Sequence, residues 1–363
     1  MHKNIALVLI ILALFFFPTY QHGLFSSDYI VQGTVLHTLP PIETEEGWKE
    51  EEVVIQIKRG EFEGETVTAI NSLSGNPRYD LNLEEGKNVI ISLDIENNII
   101  QNVHIKDIGR HNHLAILGLI FIIALLLVGR RKGSHSLAAL AITILLIIKV
   151  LLPLLLQGLN PLWTIIGVAI IIAASTLLII SGFNLKTLSS LIGIGGGLVI
   201  AGMLAYFFGR AAQLTGLASH ETPLLQYIDG IQMDFEGLLF GAIVLGALGA
   251  IMDVAISVAS GLEQVKLAQP QVSFQELYRA GISIGKDIMG TMINTLVLAY
   301  VGGTLPLMLL LLAEQPAFLE LINMELIATE LIRALAGSTG LVLAIPLTSA
   351  ISSWFYGERL KVQ

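Results

Sequence analysis

Residues 237–260 have the sequence G-L-L-F-G-A-I-V-L-G-A-L-G-A-I-M-D-V-A-I-S-V-A-S, in which Asp253 is the single charged residue. A helix rises about 1.5 Å per residue, so roughly 20 apolar residues cross the hydrocarbon core of a bilayer. This stretch therefore predicts a transmembrane helix, and seven other apolar segments are also drawn as spans. The eight predicted spans lie near residues 4–22, 113–130, 136–157, 162–181, 188–209, 237–260, 288–312 and 328–353.

The composition of the whole chain also indicates a membrane protein. Of its 363 residues, 13% are charged and 54% are hydrophobic, whereas about 25% are charged in a typical soluble domain. The net charge of −9 and the lack of a basic stripe argue against nucleic acid as a partner. The chain contains no cysteine, which excludes disulfides, thiolate metal sites and cysteine nucleophiles.

The charged residues are concentrated in residues 28–108, where acidic side chains outnumber basic ones. We therefore predict three parts: an N-terminal membrane anchor in residues 1–27, an extracytoplasmic domain in 28–108 and a multi-helix transmembrane domain in 109–363. The apolar run of the anchor, Ile5–Phe17, is also short enough to be the core of a signal peptide. No small-x-small cleavage site follows it, which favours an uncleaved anchor.

The basic residues of the connections between spans fall almost entirely on one side of the predicted membrane. Cytoplasmic connections are enriched in Lys and Arg, so we place this side, and both termini, in the cytoplasm. On the opposite side, the connections between helices carry Arg210 among several acidic residues. The cytoplasmic set comprises Lys3, Arg130, Arg131, Lys132, Lys186, Lys266, Arg279, Lys286, Arg359 and Lys361.

Residues 28–108 have the pattern of an all-β domain. Apolar and polar residues alternate in V-V-I-Q-I-K (53–58) and in N-V-I-I-S-L-D-I (88–95), as in strands with one buried face. Further strands are predicted near residues 29–38, 65–70 and 98–105, which together suit a small OB-like barrel. Such barrels bind oligonucleotides or sugars, but this domain is acidic and poor in aromatic residues, which favours a docking or spacer role.

Longer strings in the second half of the chain carry a resemblance to a known family. These are G-A-L-G-A-I-M-D-V-A-I-S-V-A-S (246–260), E-L-Y-R-A-G-I-S-I-G-K-D-I-M-G-T-M-I-N-T-L-V-L-A-Y-V-G (276–302) and P-L-T-S-A (346–350), with I-K-R-G-E-F-E-G-E-T-V (57–67) in the first half. The chain resembles the YibE/F-like family of bacterial membrane proteins. The resemblance implies a multi-pass protein of the bacterial cytoplasmic membrane and supplies no catalytic residues.

A fainter analogy concerns the order of the segments. A helix with a mid-membrane Asp, a cytoplasmic amphipathic stretch and a polar helix follow one another, as in resistance-nodulation-division permeases and the SecD/SecF translocation factors. Those proteins also place an extracytoplasmic domain after their first helix. Here four spans separate that domain from the Asp253 helix, and a single such module is present.

An intramembrane polar core is predicted around Asp253, because ionisable residues at membrane depth are costly and are candidates for function. Gly246, Gly249, Asp253 and Ser257 recur at helical spacing on one face, together with Ser260. One hypothesis is a protonatable Asp253 inside a packed three-helix core, where it couples proton movement to a conformational change. The alternative is a structural hydrogen-bond centre that joins the sixth, seventh and eighth spans.

The candidate core includes residues of two other spans. Asp287, Thr291 and Asn294 share a face of the seventh span, where Asn294 could meet Asp253 and where Asp287 is also explained as a helix cap. Lys149 is a lone cation in the third span, which either extends its ammonium group to the interface or neutralises Asp253. The complete set is Asp253, Ser257, Asp287, Thr291, Asn294 and Lys149.

Other polar or glycine-rich features have simpler explanations. Glu330 and Arg333 are spaced as a local ion pair, and the run Gly193–Gly197 predicts close helix packing or, alternatively, an unwound ligand-binding break. His111 and His113 lack the carboxylates that would support a metal site. Ser273 and Glu276 predict a capping box at the start of a short interfacial helix within residues 261–286.

These observations favour an α-helical polytopic membrane protein with a small all-β extracytoplasmic domain. The predicted function is that of a permease or secondary transporter coupled to protons, which acts on a small-molecule or ionic substrate that the sequence does not specify. The alternative is a non-transporting assembly or accessory factor whose β domain docks a partner protein. An enzyme is not expected, because no H-E-x-x-H motif is present, and no cofactor or bound metal is expected. The lipid bilayer is the remaining partner.

Overall fold

The computed structural model describes residues 29–43, 49–219, 221–227 and 233–358. The predicted span at 4–22 lies outside the described residues. The chain divides into two compact units between Val128 and Gly129, and each unit is described by itself.

The first unit contains a 6-stranded antiparallel sheet. Strand β3 pairs with β1 and β2 along one edge and with β4 along the other, and the order continues from β1 through β5 to β6. The sheet is therefore an antiparallel half-barrel with β4 and β6 as its two edges, where the sequence predicted a small OB-like barrel. The strands are β1 Tyr29–Thr38, β2 Ile42–Glu43, β3 Lys49–Ile57, β4 Thr66–Leu73, β5 Asn88–Glu96 and β6 Ile99–Ile108.

The period-two pattern of the sequence correctly identified the buried face of this sheet. Val53, Ile55 and Ile57 of β3 are 0%, 0% and 1% exposed, and Val89 and Ile91 of β5 are fully buried. Alternate side chains of a strand point to opposite faces, so these residues form the concave core while their neighbours face outward. The core is completed by Val31, Val35, Phe62, Ala69, Leu83 and Leu93.

Helices make up the rest of the chain. Helix α1 begins in the first unit and contains a non-helical residue, Arg130, with φ 46° and ψ −122°. A π-helical turn, Ile147–Leu151, separates α1 from α2. The helices are α1 His111–Leu146, α2 Leu152–Leu156, α3 Pro161–Ser181, α4 Leu185–Ala211, α5 Thr222–Leu225, α6 Phe235–Ala268, α7 Phe274–Gly303, α8 Leu305–Glu314, α9 Phe318–Asn323 and α10 Glu325–Glu358.

In the described part of the chain, 5 helical segments are long and apolar enough to cross a membrane, or 6 if the pair α7 and α8, bent by 67°, is one span. The predicted count of eight spans is therefore not confirmed. One predicted span is undescribed, and the predicted second and third spans form one helical segment, His111–Leu156. The break in helical geometry at Arg130 is the feature that could divide this segment into two spans.

Side-chain caps begin several helices where the sequence provides them. Asn184 accepts a hydrogen bond from the N–H of Thr187 at the start of α4, and Asp234 caps α6 through the N–H of Gly237. The capping box of Ser273 and Glu276 is confirmed at the start of α7.

The helix that follows this capping box differs from the prediction. Helix α7 runs without a break to Gly303, and α6 continues to Ala268, so the predicted short interfacial helix within residues 261–286 is wrong. The physical reason is that Leu262 and Leu277, which were placed in this connection, are fully buried in the helical core and extend the apolar faces of the two long helices.

Helix α10 packs against α4, α6 and α7, and small residues allow its close approach. Gly193 faces Thr348, and Gly285 faces Ile345. Glycines also set the register between α6 and α7, since Gly246 faces Tyr300 and Gly261 faces Ile284. Helices α6 and α7 are thus antiparallel neighbours. We call the end of this body with Pro161, Ala211, Phe235, Gly303 and Glu325 the Phe235 end, and the opposite end the Ala268 end.

Candidate functional site

The small and polar face of α6 points away from the rest of its unit. Gly246, Gly249, Asp253 and Ser257 are all exposed, and a Cβ built on Gly249 would meet nothing within 4 Å. The opposite face of α6 is packed with aliphatic side chains, and it consists of Ile243, Val244, Ala247, Ile251, Val254, Ala255, Val258 and Leu262, each 0% exposed.

The polar face of α7 is exposed in the same way. Asp287, Thr291 and Asn294 are exposed, and so is Thr295, whose hydroxyl donates to the carbonyl of Thr291 at 2.9 Å. The contacts of Gly246 with Tyr300 and of Gly261 with Ile284 place Asp253 level with Met292 and Ile293 along α7. Asp253, Thr291 and Asn294 therefore lie at the same height on neighbouring helices.

One hypothesis placed Asp253 inside a packed three-helix core. The structure does not bring Asp253 and Asn294 together in such a core. Within the described part of the chain, no hydrogen bond or ion pair involves the side chain of Asp253 or Asn294. The structure instead places both side chains on the surface of the helical unit. A polar face on two apolar helices can accept and donate hydrogen bonds and can hold a proton on Asp253, provided that water or another polar group reaches it.

Lys149 lies in the π-helical turn between α1 and α2, a geometry that often marks functional positions. Its side chain is half-buried, and in the described residues no ion pair joins it to Asp253. The turn packs beside α3. The hypothesis that Lys149 neutralises Asp253 thus receives no support from the contacts of this chain.

Three other sequence features take clear positions. Asp287 lies in the interior of α7, so the prediction that it caps a helix is wrong, because the helix already begins after Ser273. Gly193 and Gly197 lie within the unbroken α4 and face α10, so they pack closely and form no unwound break. Glu330 and Arg333 form the predicted ion pair, at 3.4 Å between Oε2 and Nε.

Sequence reasoning missed a row of buried hydroxyl groups on α10. Thr348, Ser349, Ser352 and Ser353 are each 0% exposed, and their hydroxyls have no hydrogen-bond partner among the described residues. Near them, Lys186 of α4 pairs with Glu263 of α6 at 2.9 Å. The string T-S-A-I-S-S (348–353) is the signal that could have revealed this row, since it interrupts an apolar span.

The chemical groups of these regions can donate and accept hydrogen bonds, and their carboxylates can hold a proton. The part of the chain that is described holds no group of three or more His, Asp or Glu side chains that could bind a metal ion. Carboxylate, amide and hydroxyl groups dominate the polar faces of α6, α7 and α10.

Two family profiles match the sequence. The profile described as YibE/F-like protein matches residues 117–358, and the profile described as YibE/F family N-terminal domain matches residues 42–108. No curated protein and no solved structure matches the chain.

Proposed function

The chain belongs to the YibE/F-like family of membrane proteins, and from that premise we propose that it is a permease of the secondary-transporter type, coupled to protons through Asp253. The observation that carries this proposal is the exposed polar face shared by α6 and α7, two helices that belong to the apolar segments.

Polar side chains that face lipid are unfavourable in free energy, which supports a water-accessible path along this face. A carboxylate at the centre of a membrane helix costs about 2.5–3.5 kcal/mol on insertion scales. Asp253, Thr291 and Asn294 are at one height, and while the Thr291 hydroxyl donates to the carbonyl of Ile288, the side chains of Asp253 and Asn294 have no partner among the described residues that would compensate this cost. A hydrated groove along α6 and α7 would remove the cost and would let Asp253 exchange protons.

The proposed orientation follows from the distribution of basic residues. Both termini and the Ala268 end face the cytoplasm, residues 28–108 lie outside a bacterial cytoplasmic membrane, and the Phe235 end faces outward. We retain eight spans in this proposal. The predicted second and third spans are separated at Arg130, where the helical backbone is interrupted. The N-terminal segment is the first span and acts as an uncleaved anchor.

The test compares Asp253→Asn with Ser257→Ala, a matched change one turn away on the same exposed face. Asn keeps the volume and hydrogen bonding of Asp but cannot carry a proton. Growth and uptake of a deletion strain are first measured across metals, anions and amphiphiles, and the variants are then assayed for complementation of the defect. We expect Asp253→Asn to insert normally and to fail, whereas Ser257→Ala should complement. Full complementation by Asp253→Asn would contradict proton coupling through this residue.

A second candidate function is supported by a feature of the half-barrel. A cleft of about 630 Å³ opens between its edge strands β4 and β6, lined by Phe62, Thr68, Ile70, Gln101 and His104 among others. Edge strands can pair with an added strand, so a partner protein docked here would make the chain an assembly factor. In that case deletion of residues 28–108 should abolish function while Asp253→Asn preserves it.

A further inference from the structure

A second polar site lies at the Phe235 end, apart from the face that carries Asp253. It is a cavity of about 250 Å³ between α6, α10 and residues 216–219 and 222 of the connection before α6. Its apolar wall is formed by Leu238, Leu239, Ala242 and Leu326. Its polar wall comes from one turn of α10, with Thr329, Glu330 and Arg333, and from the hydroxyls of Ser219 and Thr222.

The rim of this cavity is held in place by specific contacts. Thr215 donates to Oε1 of Glu325 through both its N–H, at 2.6 Å, and its hydroxyl, at 2.7 Å. Gly216 has φ +76° and lies against the carbonyl of Phe235, where no Cβ would fit. Leu214 is 2% exposed. The segment before the cavity is therefore fixed to the first turns of α6 and α10.

Two buried polar atoms of the cavity lining lack hydrogen-bond partners within the described residues. Thr329 is 6% exposed and its hydroxyl is unpartnered. Arg333 Nε also has no hydrogen bond, because Glu330 Oε2 approaches it only to an ion-pair distance of 3.4 Å. The guanidinium carbon of Arg333 lies 5.8 Å from the ring centroid of Tyr300. Buried donors without acceptors are unfavourable, and a bound ligand with acceptor atoms would satisfy them.

We propose that this cavity binds a small zwitterion of the amino-acid type, with its carboxylate on Arg333 and Thr329 and its ammonium group on Glu330. The guanidinium group matches a carboxylate in shape and charge. Glu330 disfavours a ligand that is only an anion, and Arg333 disfavours one that is only a cation. The cavity lies below the usual size range of ligand pockets, which restricts the ligand to a few heavy atoms.

This inference rests on the proposed transport function, because it names the substrate class and places its first binding site on the outward end of the path. Tyr300 links the two regions, since it lies beside Arg333 and its hydroxyl faces Gly246 at the head of the exposed α6 face.

The test measures binding to the purified full-length protein, so it does not depend on transport. Radiolabelled glycine, L-alanine and L-valine are the probes, with propionate and propylamine as the singly charged comparisons. We expect the zwitterions to bind and the two comparisons to bind at least about tenfold more weakly, the change caused by losing one charge-assisted contact.

Variants assign the binding to the cavity. Arg333→Gln combined with Glu330→Gln keeps α10 free of an unpaired charge and should abolish binding, and Thr329→Val should weaken it several-fold. Thr339→Val is the matched control, since Thr339 is exposed on the same helix and bonds its own backbone at Leu335. Equal binding of propionate, unchanged binding in the double variant, or no binding of any probe would overturn the proposal.

The two proposals fail in different ways. If zwitterions bind the wild type but neither they nor protons are moved in proteoliposomes, the binding site stands and the transport function fails. If uptake of another solute is found and the double variant supports it fully, the transport function stands and this site fails. Asp253→Asn should retain zwitterion binding in either case.

Discussion

Gly197 of α4 and Gly340 of α10 lie against each other's backbone. A Cβ on Gly197 would be 2.9 Å from the carbonyl oxygen of Gly340, and a Cβ on Gly340 would be 2.7 Å from the carbonyl oxygen of Gly197. Small residues of this kind allow membrane helices to pack closely. The reciprocal contact fixes the closest approach of the two helices near the middle of the helical unit.

Gly340→Ala is expected to lower the stability of the protein by about 1–3 kcal/mol, because the added methyl group must displace backbone rather than a flexible side chain. The thermal midpoint of unfolding in detergent measures this effect. Gly249→Ala is the matched control, since nothing lies within 4 Å of its Cβ position, and it should leave the midpoint unchanged or slightly raised. Equal midpoints for the two variants would refute the packing argument.

The orientation can be tested with single cysteines, because the chain has none. Cysteines at the exposed positions Phe183 and Gln269 should be protected in intact cells from a membrane-impermeant maleimide. Cysteines at Tyr79 and Ala317, which are also exposed, should react. Phe183 and Gln269 lie in connections that carry basic residues, and such connections are enriched on the cytoplasmic side of a membrane. Protection of Tyr79 together with labelling of Phe183 would reverse the proposed topology.

Residues 28–108, expressed alone, should form a soluble and monomeric domain with a β-type circular dichroism spectrum, because the sheet has a core of its own. Ile55→Ala should destabilise it by about 2–5 kcal/mol, as expected for a large-to-small change at a buried site. Ile70→Ala is the control, since Ile70 is 58% exposed while Ile55 is 0% exposed. A helical or disordered spectrum, or equal effects of the two variants, would contradict the assignment.

The acid stability of this domain should depend on Asp80. Its carboxylate accepts hydrogen bonds from the hydroxyl of Ser74 at 2.7 Å and from the N–H groups of Ser74 and Gly75 at 2.6 and 2.8 Å. The Ser74 hydroxyl bond is the largest influence and lowers the pKa of Asp80. Desolvation is the next largest and raises it, but the two backbone bonds add to the Ser74 hydroxyl bond, so the pKa stays below its ordinary value.

A depressed pKa in the folded state means that the carboxylate stabilises the domain above its unfolded-state pKa of about 3.9. This stabilisation is lost as the pH falls through the lower folded-state value. Urea midpoints at pH 7 and at pH 3 should therefore differ less in Asp80→Asn than in the wild type. The exposed Glu85→Gln serves as the control, and an unchanged pH dependence in Asp80→Asn would show that the carboxylate contributes nothing.

The sequence predicted the elements of this fold better than the direction in which they face. Strand alternation identified the buried side of β3, and Ser273 with Glu276 identified the first turn of α7, because both signals depend on local geometry. Local signals of this kind did not predict which side of α6 packs against the other helices. In a membrane helix the lipid side is as apolar as the core side, so hydrophobicity does not tell which side Asp253 occupies.

The sequence predicted which residues of the candidate site share a helix face, but it did not predict how those faces lie relative to other helices. The spacing of Asp253 and Ser257 on α6, and of Thr291 and Asn294 on α7, placed each pair on one exposed face. Whether these faces were covered depended on how α10 packs. It contacts α6 and α7 through other residues, such as Ala247 and Gly285, and leaves the two polar faces exposed. The cavity beside Arg333 could not be predicted, because it depends on the positions of residues 216–219 and 222, which lie in a connection without a periodic pattern.

The packing of α10 also determines how it could move. Among the described residues no side-chain hydrogen bond joins α10 to α4, although Thr348 and its neighbouring hydroxyls are buried beside it. The register of the two helices is therefore set by the fit of packed side chains and glycines and not by hydrogen bonds between side chains. A shift of α10 along its own axis would break no side-chain hydrogen bond with α4 that the structure describes. Besides repacking, it would be opposed by the two hydrogen bonds that Thr215, just after α4, donates to Glu325 of α10.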